Sequence, residues 1–254
     1  MPAHPTGDNV NLDTINAQID AWKSATESMT GNLVEERQPW LSTATAEAIL
    51  HFAQGTDDDN PLWIAPDYAA QTKYGTIIAP PAFIFANRYP MLHGAPLQAP
   101  LASLIGGVEV EWFAPVHVGD TLRSEPKQKA CFEKQNQQGR RLNFVISEVT
   151  YWNQHDAVVA KATGTMIMAT QVGLQTMMAH DMPHYSEADL QQLEATWRQE
   201  YRRGKEVLYF EEVEVGTELP AMVRGPLTIG DLVAWNAAIG PSYKAGRWGY
   251  LELT

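Results

Sequence analysis

Past Leu104 the apolar residues of this chain stop recurring at helical spacing and begin to alternate, and that change of period limits the folds open to it. Val108, Val110 and Trp112 alternate with Glu109 and Glu111, as in a strand with one face buried. Residues 121–133, 141–153 and 157–169 read as three further long strands, separated by the turns Gln137-Gln138-Gly139 and Asn153-Gln154-His155-Asp156. Upstream the spacing is helical. Residues 11–30 place Leu12, Ile15, Ile19 and Trp22 on one face, with Asn11 as a cap and Gly31 as the stop. A second helix over 43–55 carries Ala44, Ala48, Ile49 and Phe52. Long strands following a helical half predict an α+β fold, an antiparallel sheet wrapped around one helix. That central helix should begin at Pro80-Pro81 and span residues 81–90, because Ala82, Phe83, Ile84, Phe85 and Ala86 are apolar nearly all round.

The second helix runs into Gly55-Thr56-Asp57-Asp58-Asp59-Asn60-Pro61-Leu62-Trp63, the dense polar cluster at a helix junction. Pro66-Asp67 opens another helix beyond it, since proline suits a first turn and aspartate complements the helix dipole there. Two readings of the turn stand side by side. Asp58 and Asn60 are turn and cap formers, and Trp63 and Phe83 are ordinary core aromatics. The alternative is that the same residues hold a substrate.

The residues that decide between these readings carry a resemblance. Asp58-Asp59-Asn60-Pro61-Leu62-Trp63, followed by Ile78-Ala79-Pro80-Pro81, resembles the hydratase motif of MaoC-like hot-dog proteins, the (R)-specific enoyl-CoA hydratases and acyl dehydratases. The resemblance covers about residues 13–170 and implies a hot-dog fold. In that family an Asp and a His position water for addition to an enoyl thioester, and a glycine N–H polarises the thioester carbonyl. Here Asp58 stands at the family's Asp, and Asn60, Pro61 and Leu62 are retained, but Trp63 occupies the His position and Pro81 the glycine position. An indole has no basic nitrogen and proline no N–H, so this domain lacks the base and the oxyanion donor. It resembles the degenerate N-terminal lobe of double-hot-dog dehydratases. That implies Asp58 as the residual catalytic position and Asn60, Pro61, Trp63, Pro80, Pro81 and Phe83 as substrate contacts. The implied ligand is an acyl-CoA or acyl-carrier-protein thioester, and the implied partner a catalytic hot-dog chain or lobe, in a homo- or hetero-oligomer.

Residues 171–206 read as a linker, with Ser186 capping a charged helix over 187–203 whose narrow apolar face is Leu190, Leu193 and Trp197. Residues 207–254, from Val207-Leu208-Tyr209-Phe210 through Gly225-Pro226-Leu227-Thr228, resemble the start of a second, incomplete hot-dog unit. At its acidic-motif position stands Gly240-Pro241-Ser242-Tyr243. The organisation expected is therefore 1–170, 171–206 and 207–254.

Charge and cysteine usage narrow the class further. A formal charge of −12 disfavours a nucleic-acid partner. The lone Cys131 and the lack of Cys/His ligand spacing suggest no disulfide, no metal and no cofactor, and a cytoplasmic setting. No apolar run approaches the roughly 20 residues of a membrane span. Lys127, Lys129, Arg140 and Arg141 could meet coenzyme phosphates or form a solvated face, and His51 could approach the acidic turn from the preceding helix. The alternative functions are a hot-dog thioesterase in which Asp58 activates water, and a non-catalytic acyl-CoA-binding scaffold.

Overall fold

A computed structural model describes residues 12–34, 39–170, 184–201, 203–204 and 206–240. The expectations at Asn11, over residues 171–183 of the linker and at Pro241-Ser242-Tyr243 lie outside these. The described residues fall into two compact units, one within Met1–Met178 and Val233–Thr254, the other within Ala179–Leu232.

The first unit is built on a four-stranded antiparallel sheet of β1 (Leu101–Trp112), β2 (Arg123–Gln135), β3 (Arg141–Trp152) and β4 (Val158–Thr170), in the order β1-β4-β3-β2. Two short turns produce the pairs β2–β3 and β3–β4, and β1 adds antiparallel to the free side of β4. One face is buried. Along β3, Asn143, Val145, Ser147, Val149 and Tyr151 are all buried, and the residues between them are half exposed. This is the α+β hot-dog arrangement expected.

Two groups of helices cover that face. α1 (Leu12–Ser28) buries Ile19, Trp22 and Thr26 over Val145, Met166 and Met168. Leu12, expected on the buried face, is exposed at the first residue of the helix, and packing against the cluster begins at Ile15. The salt bridges of Arg141 to Asp20 at 2.5 Å and to Glu133 at 2.7 Å fasten α1 to the sheet, and Glu133 and Asp20 hold that guanidinium above its ordinary pKa. α2 (Ala46–Gly55) packs Ile49, Phe52 and Ala53 with Phe83, Ile84, Val149 and Tyr151. Burying each such side chain contributes roughly 1.5–3 kcal/mol. α2 begins later than the expected residue 43. Ala44 N–H donates to Asp120 O and Gly119 N–H to Ala44 O, both at 2.8 Å, so the backbone there is extended until Thr45 caps the helix.

The central helix is shorter than the spacing predicts. Pro81–Phe83 forms a 3-10 turn and α5 (Ile84–Asn87) adds one α-helical turn, with α3 and α4 described below. The chain turns extended at Arg88, whose φ is −152°. Pro90 disfavours a helical Tyr89 before it, and the sheet claims the carbonyls that follow. Tyr151 Oη donates to Arg88 O at 2.5 Å and Ser147 Oγ to Pro90 O at 2.7 Å. Burial pushes the Tyr151 hydroxyl well above its usual pKa. Asn87 Nδ2 donates to Leu41 O and Leu122 O at 3.0 and 3.2 Å, tying the helix end to both flanks.

In the second unit, α6 (Glu187–Arg198) starts with the expected Ser186 cap, completed by Asp189 as a capping box. None of its residues is buried, and Leu190 and Trp197 are exposed. The stretch from 207 to 229 also exposes Phe210, Val215, Leu219, Leu227 and Ile229. α7 (Ile229–Ile239) starts at the end of this unit, and its residues 233–239 are part of the first unit, whose core includes Ala238.

A Cβ at Gly164 would stand 1.6 Å from the Pro90 carbonyl oxygen. Gly164→Ala is therefore expected to lower stability by about 2–3 kcal/mol in urea unfolding. A midpoint equal to wild type would show that the Pro90 crossing does not hold the fold.

Candidate functional site

The acidic turn is shaped by backbone needs at the end of α2. Thr56 hydroxyl bonds back to Phe52 O at 2.9 Å, and Asp57 adopts a left-handed φ of 53°, a conformation that aspartate tolerates better than most residues. The chain then closes on itself. Asp58 N–H donates to Ala53 O at 2.9 Å, and Asp58 Oδ1 accepts from Asn60 N–H at 3.1 Å. Asn60 Oδ1 accepts from Leu62 N–H at 3.0 Å and caps α3 (Pro61–Ile64), with Pro61 at its first position. α4 (Pro66–Ala70) follows directly. Of the three aspartates, Asp58 is half buried, and Asp57 and Asp59 are exposed.

The two motif stretches meet. Ile78 N–H donates to Leu62 O at 3.4 Å, and Ala79 N–H donates to Val116 O at 2.8 Å. Trp63, Ile77, Ile78, Ala79 and Phe83 share one core cluster, and Phe83 meets Phe52 edge to face with ring centroids 5.5 Å apart. Trp63 is only 8% exposed, and its indole N–H is buried without a hydrogen-bond partner. Pro80 is buried, whereas Pro81 is exposed and its carbonyl accepts the Trp112 indole N–H at 3.0 Å. The structure thus brings Trp63 and Phe83 into one buried cluster, with Pro80 buried at the start of the turn that carries Phe83. It places Asp58, Asn60 and Pro61 in the adjoining turn, where Asp58 Oδ1 and Asn60 Oδ1 each accept a backbone N–H.

Three features were not foreseen from the sequence. Trp112 was expected on the buried side of β1, yet it is half exposed and folds over Pro81. Its place at the strand end, where pairing stops, is the signal that its burial would be incomplete. His117, between β1 and β2, has its Nδ1 3.9 Å from Asp120 Oδ2, a pairing that no motif spacing marks. The Asp120 side chain also accepts His117 N–H at 2.7 Å and Gln154 Nε2–H at 2.8 Å. This pair sits on the segment that bonds to Ile77–Ala79. Finally, a Cβ at Gly55 would stand 2.5 Å from Ala238 Cβ, so α7 closes over the helix that leads into the turn.

The other candidates are accounted for locally. His51 is exposed on α2. Lys129 pairs with Glu148 at 3.4 Å, Arg140 donates to Thr170 O at 3.2 Å, and Arg141 is taken up by Asp20 and Glu133. Burial, reinforced by Glu27, pushes the Cys131 thiol up to about 11, far from a thiolate at neutral pH. Among the described residues, no group of three or more His, Cys, Asp or Glu could hold a metal ion, and no helix is long and apolar enough to cross a membrane.

Residues 31–162 match the family model described as FAS1-like, dehydratase domain region. The fold is similar to that of a solved MaoC-like dehydratase at TM-score 0.58 and 21% identity, over 86% of this chain and 68% of that one. Weaker likenesses include the ChsH1-ChsH2 complex from Mycobacterium tuberculosis, at TM-score 0.44 and 16% identity over 61% and 95% of the two chains. Another is the (R)-hydratase from A. caviae involved in PHA biosynthesis, at TM-score 0.39 and 22% identity over 52% and 96%. The search of curated proteins returned no match.

Asp58→Ala removes the acceptor for Asn60 N–H and should lower stability by about 1 kcal/mol, whereas Asp58→Asn keeps an acceptor and should stay within about 0.5 kcal/mol of wild type. Urea midpoints compare them. Equal losses in both variants would mean that the carboxylate charge, not the turn bond, is what the fold uses.

Proposed function

We propose, because this chain belongs to the MaoC-like hot-dog dehydratase family, that it is the acyl-thioester-binding, catalytically silent lobe of an enoyl-CoA hydratase or 3-hydroxyacyl dehydratase. The observation that carries the reading is the pairing of Trp63 with Pro81. At the position where the family places its histidine, Trp63 is packed into the core and offers no basic nitrogen. Where the family offers an amide, Pro81 has no N–H, and its carbonyl is already bonded to Trp112.

A single oxyanion donor is worth roughly 100- to 1000-fold in rate, so losing it together with the base leaves little hydration chemistry in this domain. What remains suits binding. Trp63 and Phe83 share an apolar cluster and Pro80 is buried, an apolar setting as an acyl chain requires, and Asp58 and Asn60 shape the adjoining turn. The ligand is an acyl-CoA or acyl-carrier-protein thioester.

Chemistry then comes from a partner lobe. Residues 1–170 are the first hot-dog domain, 171–206 the linker, and 207–254 the opening of a second hot-dog-like unit. Support for association comes from two surfaces. Among the described residues β1 lies at an edge of the sheet, the kind of strand to which another chain can add. The 207–229 stretch exposes large apolar side chains, which suits a surface covered by another hot-dog element. The acidic charge and single cysteine fit a cytoplasmic enzyme system.

The purified chain should bind a medium-chain acyl-CoA measurably by calorimetry, while neither consuming the enoyl absorbance of crotonyl-CoA nor releasing thiol above buffer rates. Loss of enoyl absorbance by the chain alone would overturn catalytic silence. Thiol release would instead make it a thioesterase, and absence of binding would remove the acyl-thioester reading.

A further inference from the structure

A cavity of about 510 Å³ opens beneath α1, between that helix, the 93–100 loop and the starts and ends of β1 and β4. It lies away from the acidic turn. Leu101 at one end of β1 lines it, while Trp112 at the other end covers Pro81. Eleven strand steps separate these residues, about 35 Å at ~3.3 Å per residue. The size suits a small organic ligand.

Its lining is graded. The buried residues are apolar, Trp22, Ala95, Leu101 and Met168, and the exposed residues are Gln18, His93, Leu97 and Gln98. Among the described lining residues there is no carboxylate, lysine or arginine, and the one titratable group is His93, on the exposed side. Such a cavity favours an uncharged ligand with an apolar body.

One buried group next to it has no partner. Asn143 is fully buried, and neither Oδ1 nor Nδ2 of its carboxamide makes a hydrogen bond. It stands directly opposite Met168 in the β3–β4 ladder, so the two side chains share one face at about 5 Å. Val145, next on that face, belongs with Met168 and Trp22 to the cluster under α1. Asn143 therefore lies beside the cavity floor, screened by a flexible thioether side chain that can change rotamer at little cost.

We propose that this cavity binds a small uncharged molecule with an apolar body and an amide head, the head passing Met168 to pair with Asn143. An amide presents one donor and one acceptor side by side, which matches both unpartnered atoms at once. A hydroxyl satisfies them less well, and a carboxylate would be buried without a counter-charge. The site is independent of the thioester reading above.

Octanamide is the probe and octanoate its charged control. In methionine-methyl and side-chain-amide NMR, octanamide should saturably shift the Met168 methyl and Asn143 Nδ2 resonances, with octanoate binding at least about tenfold more weakly. Asn143→Leu should remain folded and bind octanamide at least about tenfold more weakly. Ala99→Phe, which fills the cavity from its wall, should abolish octanamide binding with Asn143 intact, and this variant decides the matter if Asn143→Leu fails to fold. Unmoved Met168 and Asn143 resonances at millimolar octanamide, or wild-type octanamide affinity in either folded variant, would overturn the proposal.

Discussion

The Pro90 carbonyl oxygen occupies the space where a side chain at residue 164 would stand, and this contact sets the height of the whole 88–91 segment above the sheet. Only glycine at 164 lets the segment lie so close, and Ser147 and Tyr151 then satisfy carbonyls on either side of Tyr89 that leave the helix without partners. The consequences run outward in both directions. Upstream, α5 must stop at Asn87, whose amide bonds Leu41 and Leu122 and so aligns the lead-in to α2 with the start of β2. Downstream, the chain passes under α1, where Gly94 has a φ of 82° and a Cβ there would stand 2.5 Å from Trp22. Thr26 Oγ1 accepts from Ala95 N–H at 2.9 Å and fixes the 93–100 loop beneath the helix.

Such a crossing was not legible from the sequence. Alternation located all four strands to within a few residues, because one buried face imposes a period of two wherever the sheet runs. Helical spacing located α1 and α2 for the same reason. The central helix was overextended to residue 90, since an apolar run says that a segment is buried without saying what its carbonyls will bond. Pro90 carried a signal that was underused, because the residue before a proline resists the helical region. Trp112 was misplaced by trusting alternation to the last residue of a strand, where there is no further strand to bury it.

The site was legible in its residue types and less so in its roles. Sequence comparison with the hydratase motif found the turn, and the structure joins its two halves through Ile78 and Leu62. What the motif could not show is how fully Asp58 and Asn60 are engaged in shaping the turn itself. Nor could it show that Trp63 is buried with an unsatisfied N–H, or that His117 and Asp120 stand together on the neighbouring segment. Each depends on contacts between stretches distant in the chain.

The proposed function attributes catalytic silence to two residues and not to the fold: an indole in place of an imidazole and a prolyl nitrogen in place of an amide. The most direct measurement is the crotonyl-CoA hydration rate of the isolated chain carrying Trp63→His, Pro81→Gly, or both. The account predicts near-background rates for each single variant and a rate for the pair well above the product of the two single effects, because base and oxyanion donor act on one transition state. A Trp63→His variant that hydrates crotonyl-CoA as fast as the double variant would contradict it.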